Sequence, residues 1–343
     1  MSVDEARAIV EQAIAARVFP AAAVEVGSSA GTHWTDAFGA LTFEPASGPA
    51  ALDTPFDLAS LTKPIATTTA VMDGVRTGAL RLDARVAEFF PEWRGRDREP
   101  VTILDLLEHA SGLPARLVDA PPATRREFEH EICTMPLEYE PRTQSIYSDL
   151  GFILLGFVVR LKPVMELTFG LEPDRRSRAA PTIPLDNDAR RGRMLVGEVH
   201  DNYAAALGGI AGHSGLFGTA AAVAAFARVV LRAARLKGSV EGARAFQASD
   251  RFPPDLVALF TTKSDVPGSS RALGWDTMLP TSSCGTRMSP RAFGHVGFTG
   301  SSLWIDPGRD RYFVLLTNRV CGGGTIDDMR TVRRAFHDAL GDL

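Results

Sequence analysis

Ser60-Leu61-Thr62-Lys63 places an amine three residues after a hydroxyl. Positions i and i+3 share a helix face, so these two groups can meet without help from distant parts of the chain. Pro64 marks a helix start close by, because proline is tolerated in the first turn and not in the interior. A serine at such a start sits where backbone N–H groups and the helix dipole favour an alkoxide or an oxyanion. That is the setting a nucleophile needs. The same four residues also read as an N-cap serine followed by a solvated lysine. Lysine usage bears on the choice: only four of the 37 basic residues are lysine, namely Lys63, Lys162, Lys237 and Lys263. Arginine can hold a charge at such a position, but lysine is the one that can give up its proton.

Two further segments carry groups able to do chemistry. In Ser145-Ile146-Tyr147-Ser148-Asp149-Leu150-Gly151, Tyr147 and Asp149 stand just ahead of an apolar helical stretch. Taken alone they read as a loop anchor and a helix cap. In Gly294-His295-Val296-Gly297-Phe298-Thr299-Gly300, the glycines read as a strand edge that allows close backbone approach. In this order, SxxK, Tyr-x-Asp and His-x-Gly resemble the serine β-lactamase superfamily. The branch it most resembles is the one holding class C β-lactamases, DD-peptidases and family VIII carboxylesterases. The phrases Leu106-Leu107-Glu108-His109-Ala110-Ser111-Gly112-Leu113-Pro114 and Gly208 to Phe217 (GGIAGHSGLF) are similar to that family's, and the resemblance runs from Val18 to Val320.

The resemblance implies an α/β (α+β) fold of β-lactamase/transpeptidase type: an antiparallel sheet flanked by helices, with an all-helical domain inserted. It makes Ser60 the nucleophile that carries an acyl-enzyme, with Lys63 and Tyr147 sharing the general-base work. Backbone N–H groups of Ser60 and Phe298 would form the oxyanion hole, and Asp149, His295 and Gly297 would line the substrate side. A free tyrosine titrates near about 10, so Tyr147 needs a nearby cation to act as a phenolate, and Lys63 is the candidate.

Two departures from the family pattern bear on substrate. Asp149 stands where asparagine is usual; an ionised aspartate only accepts hydrogen bonds, and is expected to pair with Lys63 and leave Tyr147 as the base. His295 stands where lysine often binds a carboxylate, and a histidine with a pKa near about 6.5 is mostly neutral at pH 7. Both changes suit an uncharged ester better than an acidic amide. The expectation is a carboxylesterase acting on small uncharged acyl esters. A β-lactamase, a D-amino-acid peptidase, an acyltransferase and a catalytically idle ligand-binding relative remain as alternatives. No cofactor and no metal are expected.

The elements that must position these groups can be read independently. The opening stretch MSVDEARAIVEQAIAARVF reads as an amphipathic helix, and Ala21 to Leu41 as a hairpin with a Ser-Ser-Ala-Gly turn. Arg291 to Trp304 and Tyr312 to Asn318 read as strands joined through Asp306-Pro307-Gly308, and Thr325 to Leu340 as a closing helix. Between them helical patterns dominate, one of them capped by Thr219 and stopped at Gly238. The simplest division is a discontinuous sheet domain, residues 1–59 plus 285–343, and a mainly helical domain, 60–284, with a loop-rich segment at 166–193. Compared with the helical elaboration usual in the family it resembles, the stretch between the Tyr147 helix and Gly197 is short and irregular, so the resemblance implies a more open cleft.

Composition and motifs exclude other classes. The 343 residues are 45% hydrophobic and 23% charged, ordinary for a globular protein and wrong for a disordered or fibrous one. A net charge of -4 with no basic run argues against nucleic acid as a partner. The apolar run Gly151 to Val159 is too short to span a bilayer. The opening residues lack the form of a secretory signal, so a cytoplasmic location is expected. Phosphate-loop, dinucleotide and HExxH motifs are absent. Cys133, Cys284 and Cys321 are expected as buried thiols. Gly212-His213-Ser214-Gly215-Leu216 misses GxSxG by one residue, making Ser214 a decoy. His109 and His213 are expected to be structural, His200-Asp201 to fix a loop, and Trp304 to pack in the sheet.

Overall fold

A computed structural model of the chain describes residues 2–117, 120–236 and 251–341. Its centre is a six-stranded antiparallel sheet. The strands are β1 (Ala21–Gly27), β2 (Thr32–Gly39), β6 (Asp276–Thr277), β7 (Phe293–Val296), β8 (Ser302–Asp306) and β9 (Arg311–Thr317), in the order β2-β1-β9-β8-β7-β6. The first and last parts of the chain therefore pair directly, Val24 opposite Leu315 and Val26 opposite Phe313.

Side chains of a strand alternate between faces, and here both faces are covered. Ala22, Val24, Val26, Trp304, Phe313 and Leu315 pack on one side with the helices Val3–Ala15 and Ile326–Leu340. Ala23, Leu303, Ile305, Val314 and Leu316 pack on the other with Phe226 and Val230 of the helix Ala220–Arg235. The flanking helices start where the sequence supplies caps: Ser2 accepts from the Glu5 amide, Thr219 from the Ala222 amide, and Thr325 forms a capping box with Asp328.

The helix Ala220–Arg235 differs from the sequence reading. It was expected in the helical insertion, yet it lies on the sheet, where Arg228 reaches Glu25 of β1 and Tyr312 of β9. Its apolar stripe matches the sheet face, a partner that periodicity alone does not name. Gly238, the expected stop, lies outside the described residues; the helix ends at Arg235, with Leu236 as its cap.

A second difference matters more for function. The stretch Arg291 to Trp304 reads as one strand but divides into β7 and β8, joined by a tight turn in which the Gly297 amide donates to Ser301 O at 2.8 Å and the Gly300 amide to Gly297 O at 3.0 Å. Gly300 has φ +105°, a conformation open to glycine and strained for other residues.

The helices Thr69–Arg76, Ile103–Leu107, Arg125–Thr134 and Asp149–Val158 form the helical part, with Phe128, Phe152 and Trp93 buried among them. These residues belong to the same apolar cluster as Leu303 and Val314, so one core runs through both parts. A small second sheet, β3 (Phe56–Asp57), β5 (Leu216–Gly218) and β4 (Thr168–Phe169), joins the residues ahead of Ser60 to those after Ser214. The segment 166–193 holds only β4 and a single turn, Pro173–Arg176. Among the described residues, no helix is long and apolar enough to cross a membrane.

Candidate active site

The turn that presents Ser60 is strained and held from below. Ala59 has φ 47°, in the left-handed region that non-glycine residues avoid at a cost of about 1 kcal/mol or more. Asp57 fixes it: one carboxylate oxygen accepts from the Ala59 amide at 2.8 Å and the other from the His200 amide at 2.6 Å. Burial outweighs these bonds and pushes the Asp57 carboxyl up to about 6. After Ser60 the chain passes through a wide π-helical turn, Lys63–Thr68, before the regular helix begins. Irregular turns of this kind are frequent at functional sites.

Lys63 is fully buried and spends its three donors locally. Its Nζ lies 3.0 Å from Ser60 Oγ, 2.7 Å from Asp149 Oδ1 and 3.1 Å from the His213 carbonyl. The Tyr147 hydroxyl donates to Ser60 Oγ at 2.8 Å. The helix behind Tyr147 is capped by Ser148, whose Oγ accepts from the Gly151 amide, while Asp149 occupies the first helical position and is not the cap. His109 steadies this segment: its Nδ1 accepts from the Ser148 amide at 3.0 Å, and its ring lies 4.7 Å from that of Tyr147.

Burial would lower Lys63, but Asp149, with help from Tyr147, outweighs it and holds the ammonium above its ordinary range. Burial raises Tyr147, and the opposing Lys63 charge does not cancel it. The resting site is therefore an ammonium and a neutral phenol, both touching the serine hydroxyl.

Asp149 does not stand free. Its Oδ2 accepts from Arg116 at 2.8 Å; Arg116 also reaches Asp201 at 3.0 Å and Asn202 at 2.9 Å, and Asp201 holds His213 Nε2 at 2.7 Å. Because Lys63 also donates to the His213 carbonyl, these groups form a closed circuit around the lysine. Both Asp149 oxygens are engaged by cations: the expected pairing with Lys63 is present and Arg116 takes the second oxygen, while Asp149 also borders the cavity. His213 and Asp201 are part of the same circuit.

On the opposite wall, His295 is buried, and its Nδ1 donates to the Val296 carbonyl at 2.8 Å. Its Nε2 has no partner among the described residues. Burial, reinforced by Arg271 and Lys63, drives the imidazole well below its ordinary pKa, so Nε2 is an acceptor. A Cβ on Gly297 would come within 2.7 Å of the Leu58 carbonyl, so only glycine lets β7 run this close to the nucleophile turn. Thr299 Oγ1 donates to the Asp57 carbonyl at 2.8 Å, tying the turn after β7 to the residues ahead of Ser60. Among the described residues, no backbone acceptor takes the Phe298 N–H.

These groups surround a cavity of about 450 Å³ that includes Ser60, Tyr147, Asp149, His295, Phe298 and Arg271 in its walls. The size suits a small molecule. Ser214 Oγ also lies there, buried; among the described residues neither it nor His213 Nδ1 has a hydrogen-bond partner, so no hydrogen bond joins the two. Sequence reasoning assigned no role to Asp57, Arg116, Arg271, Arg319 or Arg333. Asp57 stands in a recognisable phrase, but arginine is too common in this chain for any one to stand out.

A lysine- and tyrosine-flanked serine, set where an antiparallel sheet meets a helical part, defines a serine hydrolase of β-lactamase/transpeptidase fold. The chain belongs to the Beta-lactamase family, whose model matches residues 6–162 and 165–336. A relative named putative D-alanyl-D-alanine carboxypeptidase, from Salmonella agona (strain SL483), is 29% identical over 320 residues, covering 79% of this chain and 70% of its own. Among solved structures, EstCE1, described as a hydrolase with promiscuous acyltransferase activity, superposes with a TM-score of 0.72 at 18% identity, covering 98% of this chain and 97% of its own. The class C β-lactamase of Rhodobacter sphaeroides gives a TM-score of 0.71 at 18% identity, covering 98% of each chain. These two likenesses establish the fold.

Proposed function

We propose that the protein is a carboxylesterase acting on small uncharged acyl esters through an acyl-enzyme on Ser60. The observation that carries this reading is the pairing of Ser60 Oγ with both Lys63 Nζ and the Tyr147 hydroxyl, at 3.0 and 2.8 Å, on the wall of the cavity. In molecules whose Tyr147 has first released its proton to solvent, Ser60 Oγ attacks the ester carbonyl carbon while its proton passes to the Tyr147 phenolate. Backbone N–H groups of Ser60 and Phe298 receive the oxyanion, each such donor worth about 3 kcal/mol in the transition state. The carbonyl re-forms, the C–O bond to the alcohol breaks, and Tyr147 returns the proton to the departing alkoxide. Water then repeats the sequence and frees the acid. Lys63 stays charged throughout and lowers the cost of the phenolate.

His295 supports an uncharged substrate. A neutral ring with a free Nε2 accepts from a hydroxyl or an amide N–H and offers nothing to a carboxylate. One observation favours a second reading, a D-amino-acid peptidase or β-lactamase. The Arg271 guanidinium lies 5.2 Å from the centre of the Tyr147 ring, on the cavity wall. It has no carboxylate partner among the described residues, and a substrate carboxylate would complete it. The name of the Salmonella relative points the same way. Comparing kcat/KM for a short-chain aryl ester, a chromogenic cephalosporin and a D-alanyl-D-alanine peptide separates the two. The ester reading predicts that the ester leads, and a lead for either acidic substrate, lost in Arg271→Ala, would replace it with the second.

A further inference from the structure

The helix Ile326–Leu340 sends one buried side chain under the proposed oxyanion donor. Arg333 Nη2 donates to the Gly297 carbonyl at 2.7 Å and to the Ser301 carbonyl at 2.8 Å. Gly297 C=O and Phe298 N–H are two ends of one planar, conjugated amide. A charged donor on the oxygen draws electron density along O=C–N and leaves the N–H more positive, the polarisation that strengthens chains of hydrogen bonds in a low-dielectric interior. Arg319 does the same one residue later: its Nε and Nη2 both donate to the Phe298 carbonyl, at 3.1 and 2.7 Å.

Neither guanidinium meets a carboxylate among the described residues. This sets them apart from Arg116, which is spent on Asp149 and Asp201. Burial, with repulsion from Arg319 and Arg330, pushes Arg333 down to about 9, the direction expected of a desolvated cation without a counter-ion. A neutral donor would suffice to tie a helix to a turn. Unpaired buried charge is costly, and it collects at sites where charge develops during a reaction. Here two cations brace the short turn that carries the Phe298 N–H, and both also border the cavity.

We propose that Arg333 is a positioning residue for catalysis, setting through the Gly297–Phe298 peptide how strongly the Phe298 N–H binds the oxyanion. The proposal rests on the acyl-enzyme reading above and adds to it the source of the donor's strength.

The test compares wild type with Arg333→Met, which keeps the stem and loses the donors, and Arg333→Lys, which keeps a charge. Each is assayed on an ester and on its thionoester, in which sulfur replaces the carbonyl oxygen and the larger, softer anion gains little from an oxyanion hole. Weakening a donor is expected to cost less than deleting one, so Arg333→Met should lower kcat on the oxygen ester about tenfold with KM unchanged. The thionoester rate should change little, and Arg333→Lys should recover part of the oxygen-to-sulfur ratio. A loss equal on both substrates, or none, in a variant with a wild-type melting profile would overturn the proposal. If Arg333→Met does not fold, Arg333→Lys alone decides by whether its ratio falls. Labelling of wild-type Ser60 by a fluorophosphonate separates the two levels. With Ser60 labelled and the ratio unmoved, only the Arg333 role fails; with Ser60 unlabelled, the acyl-enzyme reading fails and takes this one with it.

Discussion

Two tyrosines, Tyr147 and Tyr312, each sit among a basic side chain, a carboxylate and a hydroxyl residue. Tyr312 donates to Glu25 Oε1 at 3.0 Å and accepts from Arg228 at 2.8 Å, while Thr32 donates to the same Glu25 oxygen. Every role of that phenol is taken inside the network. Tyr147 instead donates to Ser60 Oγ, which already accepts from Lys63, and both Tyr147 and Ser60 are half-buried on the cavity wall. The parts are nearly the same. A saturated network holds structure together, whereas one with spare capacity facing a space can act on a guest.

The comparison breaks most visibly by removing the two hydroxyls. Tyr147→Phe should cut kcat on an aryl ester by about 10²- to 10⁴-fold, the usual value of a positioned base, with little change in melting temperature. Tyr312→Phe should leave kcat within about twofold, because nothing in its network reaches the reacting atoms. Equal losses from the two variants would erase the distinction between the two tyrosines.

Acidity sharpens it next. Burial raises Tyr147, and a base works only when deprotonated, so its active fraction grows about tenfold per pH unit below its pKa. The logarithm of kcat/KM should therefore climb steadily from pH 6 to about pH 9 without a neutral plateau. A plateau near pH 7 would mean that some other group takes the proton.

The carboxylates give a smaller contrast. Asp149→Asn supplies an amide donor and loosens the Lys63 circuit, so cephalosporin acylation should rise relative to ester turnover, by about tenfold if one amide hydrogen bond is what such substrates lack. An unchanged ratio would count against acceptor-only chemistry as the barrier. Smallest is the stability effect: Tyr312→Phe should cost about 1 kcal/mol in a denaturant titration, the net value of a buried hydrogen bond. No loss would show that Glu25 and Arg228 do not need the phenol.

Much of this was legible in the sequence, for identifiable reasons. Ser60 and Lys63 are close in the chain, so local geometry brings them together whatever the rest of the fold does. Tyr147 and His295 were legible through order and neighbouring phrases, which spacing alone would not have supplied. The strands at both ends carried two-residue periodicity and turn residues, and they form the sheet. The break between β7 and β8 was hidden, because Gly297 to Ser301 continues the apolar and small-residue pattern and its turn is set by contacts to Asp57, far away in the chain. The seat of the helix Ala220–Arg235 was hidden for a related reason: amphipathicity shows that a face is buried, not against what. The roles of Arg116, Arg319 and Arg333 depend on which carboxylates and carbonyls lie opposite them, and periodicity carries no such information.

The central claim is that Ser60 carries the acyl group. Incubation with a fluorophosphonate, followed by peptide mass analysis, tests it most directly, because the reagent reacts with the nucleophile rather than with a bystander. The account predicts a single adduct on Ser60, absent in Ser60→Ala together with nearly all ester turnover, a loss on the order of 10⁵-fold or more. An adduct on Ser214, or none on the folded wild-type protein, would contradict it.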